Sequence, residues 1–338
     1  MTVGPGDTDP LSTADRRRML AHVDPEWRLV DAEPSTESSD AVYLATVADG
    51  ETERRVVLKH PVLVEDDRFR REAALTDYVA ANTSLPVPAV LGSVDEHDEL
   101  PAPFFVMERR EGVNPNAMDG DLDPDARDRA VREAGRHLAE LHDLGPLSGF
   151  GWVAVEDGEL TVRDPQNSWR ETVWSWVEEP LSELADPFVD MEDDLRAALV
   201  SRIERLPDDV PAVPAHNDYR PGNLLVDAET GETRAVLDWG AAMAMHDEYE
   251  LAIVEEAFCG PAPPDADERE RVRSNLLAGY RERRPLDREG LAERRGTYML
   301  AYRVIGMHWF PYWYENTAES RRAEIVNRYR EQARALLD

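Results

Sequence analysis

His216, Asp218, Asn223 and Asp238 are the residues of this 338-residue chain whose types and spacing suit a known reaction. They lie in the stretches HNDYRPGNLLVD at 216–227 and LDWG at 237–240. Phosphoryl transfer needs a carboxylate that orients an attacking hydroxyl and takes its proton, and hard oxygen ligands that hold magnesium against the phosphates. Asp218 can supply the first, and Asn223 with Asp238 the second. Two short apolar runs, 223–226 and 235–237, are joined by a turn-rich linker holding Asp227, Thr230 and Gly231. That pattern predicts a hairpin. Asp218 falls in the loop entering the first strand, Asn223 at its start and Asp238 where the second strand ends, so one end of the hairpin is expected to gather all three.

The H-x-D-x-x-x-x-N spacing followed by D-W-G resembles the catalytic and metal loops of the protein-kinase-like fold. More narrowly, HNDYRPGNLLVD with LDWG is similar to the aminoglycoside phosphotransferase family, whose usual form is H-G-D-x-x-x-x-N with D-W or D-F. The resemblance covers roughly residues 28–338. It implies an α+β, bilobal protein-kinase-like fold: an N-terminal antiparallel sheet lobe at 1–110 and a mainly helical C-terminal lobe at 111–338. Residues 1–11, with Gly, Pro and Asp and no periodicity, are expected to be disordered. The resemblance implies ATP as cofactor, with GTP the alternative, and Mg2+ on Asn223 and Asp238. Asp218 would act as base, His216 would brace the catalytic loop, and Arg220 would stand near the transferred phosphoryl group.

The elements that must carry these groups follow from pattern. Strands are expected at 28–32, 41–47, 53–60, 87–94 and 103–108, and helices at 12–22, 67–82 and 124–144. Lys59 is the only lysine of the chain and ends the apolar run 56–58, where a kinase-like fold places its phosphate-binding lysine. Glu72, three residues after Phe69, falls on the inward face of helix 67–82; a buried carboxylate wants a cation, and Lys59 is its natural partner. The loop 34–40, counterpart of the kinase phosphate-covering loop, has no glycine, so Ser38 and Ser39 could offer hydroxyls to the nucleotide instead. The segment FFVMER at 104–109 resembles the family's hinge, with Met107 against the base and the Glu108 carbonyl and Arg109 amide hydrogen-bonding to it. His142 reads as structural.

Further on, 146–163 predicts a small hairpin, 164–206 is mostly helical, and three helices near 265–283, 287–310 and 316–337 end the chain. MHDEYELA at 245–252 resembles the family's G-D-P-x-x-D-L-A, with Asp247 at the usual acid and Glu250 replacing an aspartate; both would brace the catalytic loop. Tyr298, Tyr302 and the rings from Trp309 to Tyr314 would help shape the acceptor pocket, where an aromatic lining edged by acids would suit a cationic or sugar-like acceptor.

Composition bounds the rest. At 42% hydrophobic residues the chain can bury a substantial core. Asp plus Glu number 70 against 38 Lys plus Arg, a formal charge of -32, which repels nucleic acid. Such charge is tolerable where salt screens it, so a salt-loving cytoplasm, as in a halophilic archaeal member of the family, is expected. Cys259 is alone, which excludes a disulfide framework and a cysteine metal cluster. Residues 1–20 lack the apolar core of a signal peptide, and the most apolar long segment carries Arg303, His308 and Pro311, so a cytoplasmic protein without membrane contact is expected.

The function expected is an ATP- and Mg-dependent transfer of the γ-phosphoryl group to a hydroxyl of a small metabolite or aminoglycoside-like acceptor. The alternatives are a nucleotide-binding regulatory pseudokinase, which the glycine-free loop favours and the intact Asp218 opposes, and a kinase acting on a protein or glycated protein.

Overall fold

Ser12 Oγ accepts the Asp15 amide at 3.1 Å and so caps α1 (Thr13–Val23), whose Met19 and Leu20 turn inward. The structure, a computed structural model, describes residues 10–35, 40–62, 67–116, 122–260, 262–263 and 266–337. These form two compact units: Met1–Val113 with Arg234–Ala241, and Asn114–Thr233 with Ala242–Asp338.

In the first unit, β1 (Trp27–Pro34), β2 (Ala41–Asp49) and β3 (Thr52–His60) form a meander, the last two joined at Gly50, whose φ of +62° suits glycine. After α2 (Asp67–Asn82), β4 (Val90–Val94) and β5 (Phe104–Glu108) complete an antiparallel sheet of order β1-β2-β3-β5-β4. Period-two alternation divides its side chains between two faces. Val56, Leu58, Phe104 and Val106 join Met19, Leu20, Tyr43 and Val47 in one cluster. Phe105 meets Phe69 and Ala73 of α2 in the other. Lys59 pairs with Phe105 in the register and therefore shares the α2 face. Leu11 is buried, and its amide reaches Tyr43 Oη at 3.3 Å, so the ordered core begins before the stretch expected to fray has ended.

In the second unit, Asp123 caps α3 (Pro124–His142) by accepting the Asp125 amide. A tight turn at Asp157 and Gly158, both with positive φ, joins β6 (Phe150–Glu156) to β7 (Glu159–Gln166). Ser168 caps α4 (Trp169–Ser182), and a 3-10 turn at Asp186–Met191 leads into α5 (Glu192–Ile203). The strands β8 (Val213–Ala215) and β9 (Leu224–Val226) follow, then β10 (Thr233–Val236), whose last three residues belong to the first unit, and β11 (Met243–Met245). Helices α6 (Asp247–Cys259), α7 (Asp267–Arg281), α8 (Arg288–His308), α9 (Phe310–Trp313) and α10 (Glu319–Leu337) close the chain.

The strands β8 and β11 and the helix α6 were not expected. The strands β8 and β11 are three residues each and exist by pairing within a sheet of order β7-β6-β11-β8, a non-local arrangement that leaves no local period. Helix α6 is buried nearly all round, so its sequence lacks the apolar stripe of an amphipathic helix. No helix among the described residues is long and apolar enough to cross a membrane.

Candidate functional site

Lys59 stands near the end of β3, within the buried run 56–60, and is itself only 6% exposed. Its Nζ lies 2.6 Å from Glu72 Oε2, 3.3 Å from Asp40 Oδ2 and 3.6 Å from Asp238 Oδ1, all within the first unit. Burial alone would lower the lysine, but Glu72, Asp238 and Asp40 together raise it well above its ordinary value. Glu72 is pushed up to about 7 by burial, against the pull of Lys59. One ammonium thus faces three carboxylates, of which Glu72 holds its proton more tightly than a free acid. Nothing local in the sequence marks Asp40, one acid among seventy.

Asp238 is half exposed and sits at φ +66°, a left-handed conformation that aspartate tolerates better than most residues. The segment behind it is fixed by buried Trp239, whose Nε1 donates to Val236 O at 3.2 Å, and by Gly240, where a Cβ would lie 3.1 Å from Arg68 O of α2. Ser38 and Ser39 lie outside the described residues. Met107 and Glu108 lie in β5, and the Glu108 amide donates to Ala89 O at 2.8 Å. The Arg109 amide, expected to face the base, instead donates to Arg55 O at 3.3 Å. A base that used this amide would have to displace that sheet carbonyl.

The second unit holds the loop around Asp218. His216 is fully buried, and its Nδ1 accepts the Asp218 amide at 3.3 Å. Asp218 itself is oriented at both oxygens: Arg220 Nε donates to Oδ1 at 2.9 Å and Asn223 Nδ2 to Oδ2 at 2.7 Å. Asn223 Nδ2 also donates to Asp218 O at 2.9 Å, so the amide nitrogen is turned onto the aspartate and Oδ1 faces away as a donor for a hard cation. The loop is braced from below. Asn217, at φ +62°, gives its amide to Glu250 Oε1 at 2.9 Å, and Glu250 Oε2 lies 2.7 Å from His142 Nε2 in a site closed to water. Nδ1 of His142 reaches Tyr280 Oη at 2.9 Å, which donates to Asp247 Oδ2 at 3.2 Å. His142 and Glu250 are thus supports of the loop backbone.

Among the described residues no group of three His, Cys, Asp or Glu side chains could hold a metal ion. Asp238 in the first unit and Asn223 Oδ1 in the second are each hard oxygen donors of the kind magnesium accepts, an ion that keeps several waters and leans on substrate phosphates.

Beyond Pro221 the second unit has a cleft of about 780 Å³ lined by Tyr302, Tyr314 and Tyr329. Its charged lining is mostly basic: Arg127, Arg303, Arg321 and Arg328 against Glu256 and Glu268. Of the rings expected to shape an acceptor pocket, Tyr302 and Tyr314 line this cleft, and its charged edge is mostly basic rather than acidic. Tyr298 and Phe310 pack inside the unit, whereas Trp309, Tyr312 and Trp313 are exposed. The basic residues come from α3, α8 and α10, and their convergence leaves no mark in any single stretch.

A five-stranded antiparallel sheet with a lysine on a helix-borne glutamate, and a mainly helical unit with a braced H-x-D-x-x-x-x-N loop, define the protein-kinase-like fold. The family model described as "Phosphotransferase enzyme family" matches residues 33–286, and the chain belongs to that family. Membership of that family makes it a phosphotransferase. Among solved structures it is similar to a thermostable mutant of aminoglycoside phosphotransferase APH(4)-Ia in a ternary complex with AMP-PNP and hygromycin B, at 18% identity and TM-score 0.64 over 96% of this chain and 98% of that one. It is also similar to APH(2")-IIia in its GDP and kanamycin complex, at 15% identity and TM-score 0.63 over 93% and 97%. A microcompartment-associated aminopropanol kinase matches at 17% identity and TM-score 0.63 over 96% of each chain. At such identities the likeness is one of fold. Among curated proteins no sequence matches significantly.

Proposed function

We propose that the chain transfers the γ-phosphoryl group of ATP to a hydroxyl of a small molecule, in the presence of magnesium. The observation that carries this reading is the orientation of Asp218, held at both carboxylate oxygens by Arg220 and Asn223 on a loop braced by Glu250. Asp218 takes the proton of the acceptor hydroxyl as that oxygen bonds to the γ-phosphorus. The bond from phosphorus to the β–γ bridging oxygen breaks, and ADP leaves. Arg220 stabilises charge on the phosphoryl oxygens during transfer, and His216 holds the loop. Lys59, fixed by Glu72, binds the α and β phosphates. Met107, Glu108 and the residues after them seat the base. Asn223 and Asp238 are the proposed magnesium ligands, and the ion when bound neutralises charge on the phosphates.

Relatives of this fold crystallised with AMP-PNP or GDP support nucleotide binding and leave ATP and GTP both as candidates, with ATP the one proposed. The net charge of -32 supports a cytoplasm rich in salt as the working environment.

The test is ATP consumption in molar KCl with magnesium across a panel of small alcohols, with wild type beside Asp218→Asn. Acceptor-stimulated turnover should fall by about 10²–10⁴-fold in the variant while nucleotide binding is unchanged. A wild type that binds ATP without transferring phosphate to any acceptor, and an Asp218→Asn variant that binds it equally well, would favour a regulatory nucleotide-binding module. Slow hydrolysis that survives Asp218→Asn and is lost in Asp238→Ala would point to metal-dependent hydrolysis instead.

A further inference from the structure

The cleft beyond Pro221 concentrates positive charge in a chain that is otherwise strongly acidic. Both of its acids are already committed. Glu268 pairs with Arg127. Glu256 is shared by Arg269, at 2.8 and 3.3 Å, and Arg303. Burial would raise the Glu256 carboxyl, yet Arg303 and Arg269 hold it below its ordinary value. One carboxylate between two guanidiniums leaves a positive charge over. Arg303 is only 6% exposed, lies 4.5 Å over the Tyr329 ring and has a buried Nε without a hydrogen-bond partner. Arg321 pairs with Glu324. One turn below Glu324, half-buried Arg328 has no hydrogen bond or ion pair among the described residues. Excess charge in a partly enclosed site is costly unless an anion answers it.

The same cleft reaches the catalytic loop. Pro221 lies three residues after Asp218, and Asn116, also in the lining, would crowd any Cβ on Gly222 together with the Arg220 guanidinium. Tyr302 is raised to about 12 by burial and then by the charge of Asp218.

We infer that this cleft is the acceptor pocket, and that the acceptor carries a carboxylate or phosphate group as well as the hydroxyl that is phosphorylated. The inference rests on the kinase reading above and narrows it to hydroxy acids and alcohol phosphates, since forked guanidiniums suit either anion. Polycationic acceptors and simple amino alcohols are excluded by the same charge.

The test pairs binding with turnover on the full chain. Glycerate, malate and glycerol 3-phosphate are compared with glycerol, ethanolamine and 1-amino-2-propanol, first by calorimetric titration without nucleotide and then by acceptor-stimulated ADP release. Anionic probes should bind and be phosphorylated best, and the better of the two classes identifies the anion. Arg328→Gln should weaken the anionic acceptor about tenfold in both Kd and KM, leave KM for ATP unchanged, and be partly rescued by Arg328→Lys. Preference for glycerol or the amines, no binding of any anionic probe, or anion binding indifferent to Arg328→Gln would overturn the inference while leaving the kinase reading intact. Anion binding lost in Arg328→Gln, without phosphorylation of any probe, would uphold the anionic cleft and count against the kinase reading.

Discussion

His137 shows how a single residue ties packing to pH. It lies on α3, and its Nδ1 is 2.8 Å from Tyr219 Oη, next to Asp218 in sequence. Burial pushes its imidazole down to about 4, with Glu133 and Glu140 opposing and Arg136 assisting. In the unfolded chain the ring takes a proton near 6.5, so between about 6.5 and 4 the unfolded state binds more protons than the folded one. Stability is therefore intact above pH 6.5 and lost as pH falls through that window. Urea unfolding at pH 7 and pH 5 should differ by about 2 kcal/mol from this residue alone, and His137→Asn should remove about that share of the difference. An unchanged pH profile in the variant would show that His137 is not held neutral. The structural reading of His142 belongs to the same scale: its spacing gave only a histidine on a helix, and its buried contact with Glu250 is what makes it a support.

At the scale of elements, the loop geometry depends on how closely α3 and α7 approach. A Cβ on Gly135 of α3 would collide with Leu276 O, and one on Gly279 of α7 with Arg132 O, so the two helices meet through reciprocal glycines. Tyr280, next to Gly279, is the partner of His142. Adding a methyl at either glycine forces the backbones apart, so Gly135→Ala should cost about 3 kcal/mol of stability by overpacking. It should also slow turnover more than it weakens nucleotide binding, because the displaced Tyr280 lies behind the Asp218 loop. Thermal melts and steady-state kinetics on the one variant separate the two effects. Neither glycine stood out in the sequence, where Gly inside a helix reads as a weak position.

For the whole molecule, charge is the governing quantity. With 70 acids against 38 bases, self-repulsion opposes compaction wherever it is unscreened, and at molar salt the screening length falls to about 3 Å. The melting temperature should therefore rise steeply from dilute buffer to molar KCl. A flat or falling response would remove the case for a saline working environment. Arginine-to-acid pairs such as Arg294–Glu248 and Arg295–Glu255 knit α6 to α8 within the second unit and bury part of that charge. Surface pairs such as Arg321–Glu324 add little.

What the sequence determined by itself is local. Alternation along 41–47 and 53–60, the Ser12 cap, the turn residues after Asp227 and the spacing of His216, Asp218, Asn223 and Asp238 specify strands, helix starts and a chemistry, because backbone preference and side-chain period act over a few residues. The pairing of Lys59 with Glu72 was also within reach, since the two sit thirteen residues apart on one strand and the helix after it. Tertiary structure decided the rest. It put Asp40 beside Lys59, set Glu250 behind Asn217, turned the Arg109 amide onto a sheet carbonyl, and drew arginines from three helices around Tyr302. Each of these depends on how separate elements pack, and many of the contacts join residues more than thirty positions apart. No period or propensity within either segment encodes them.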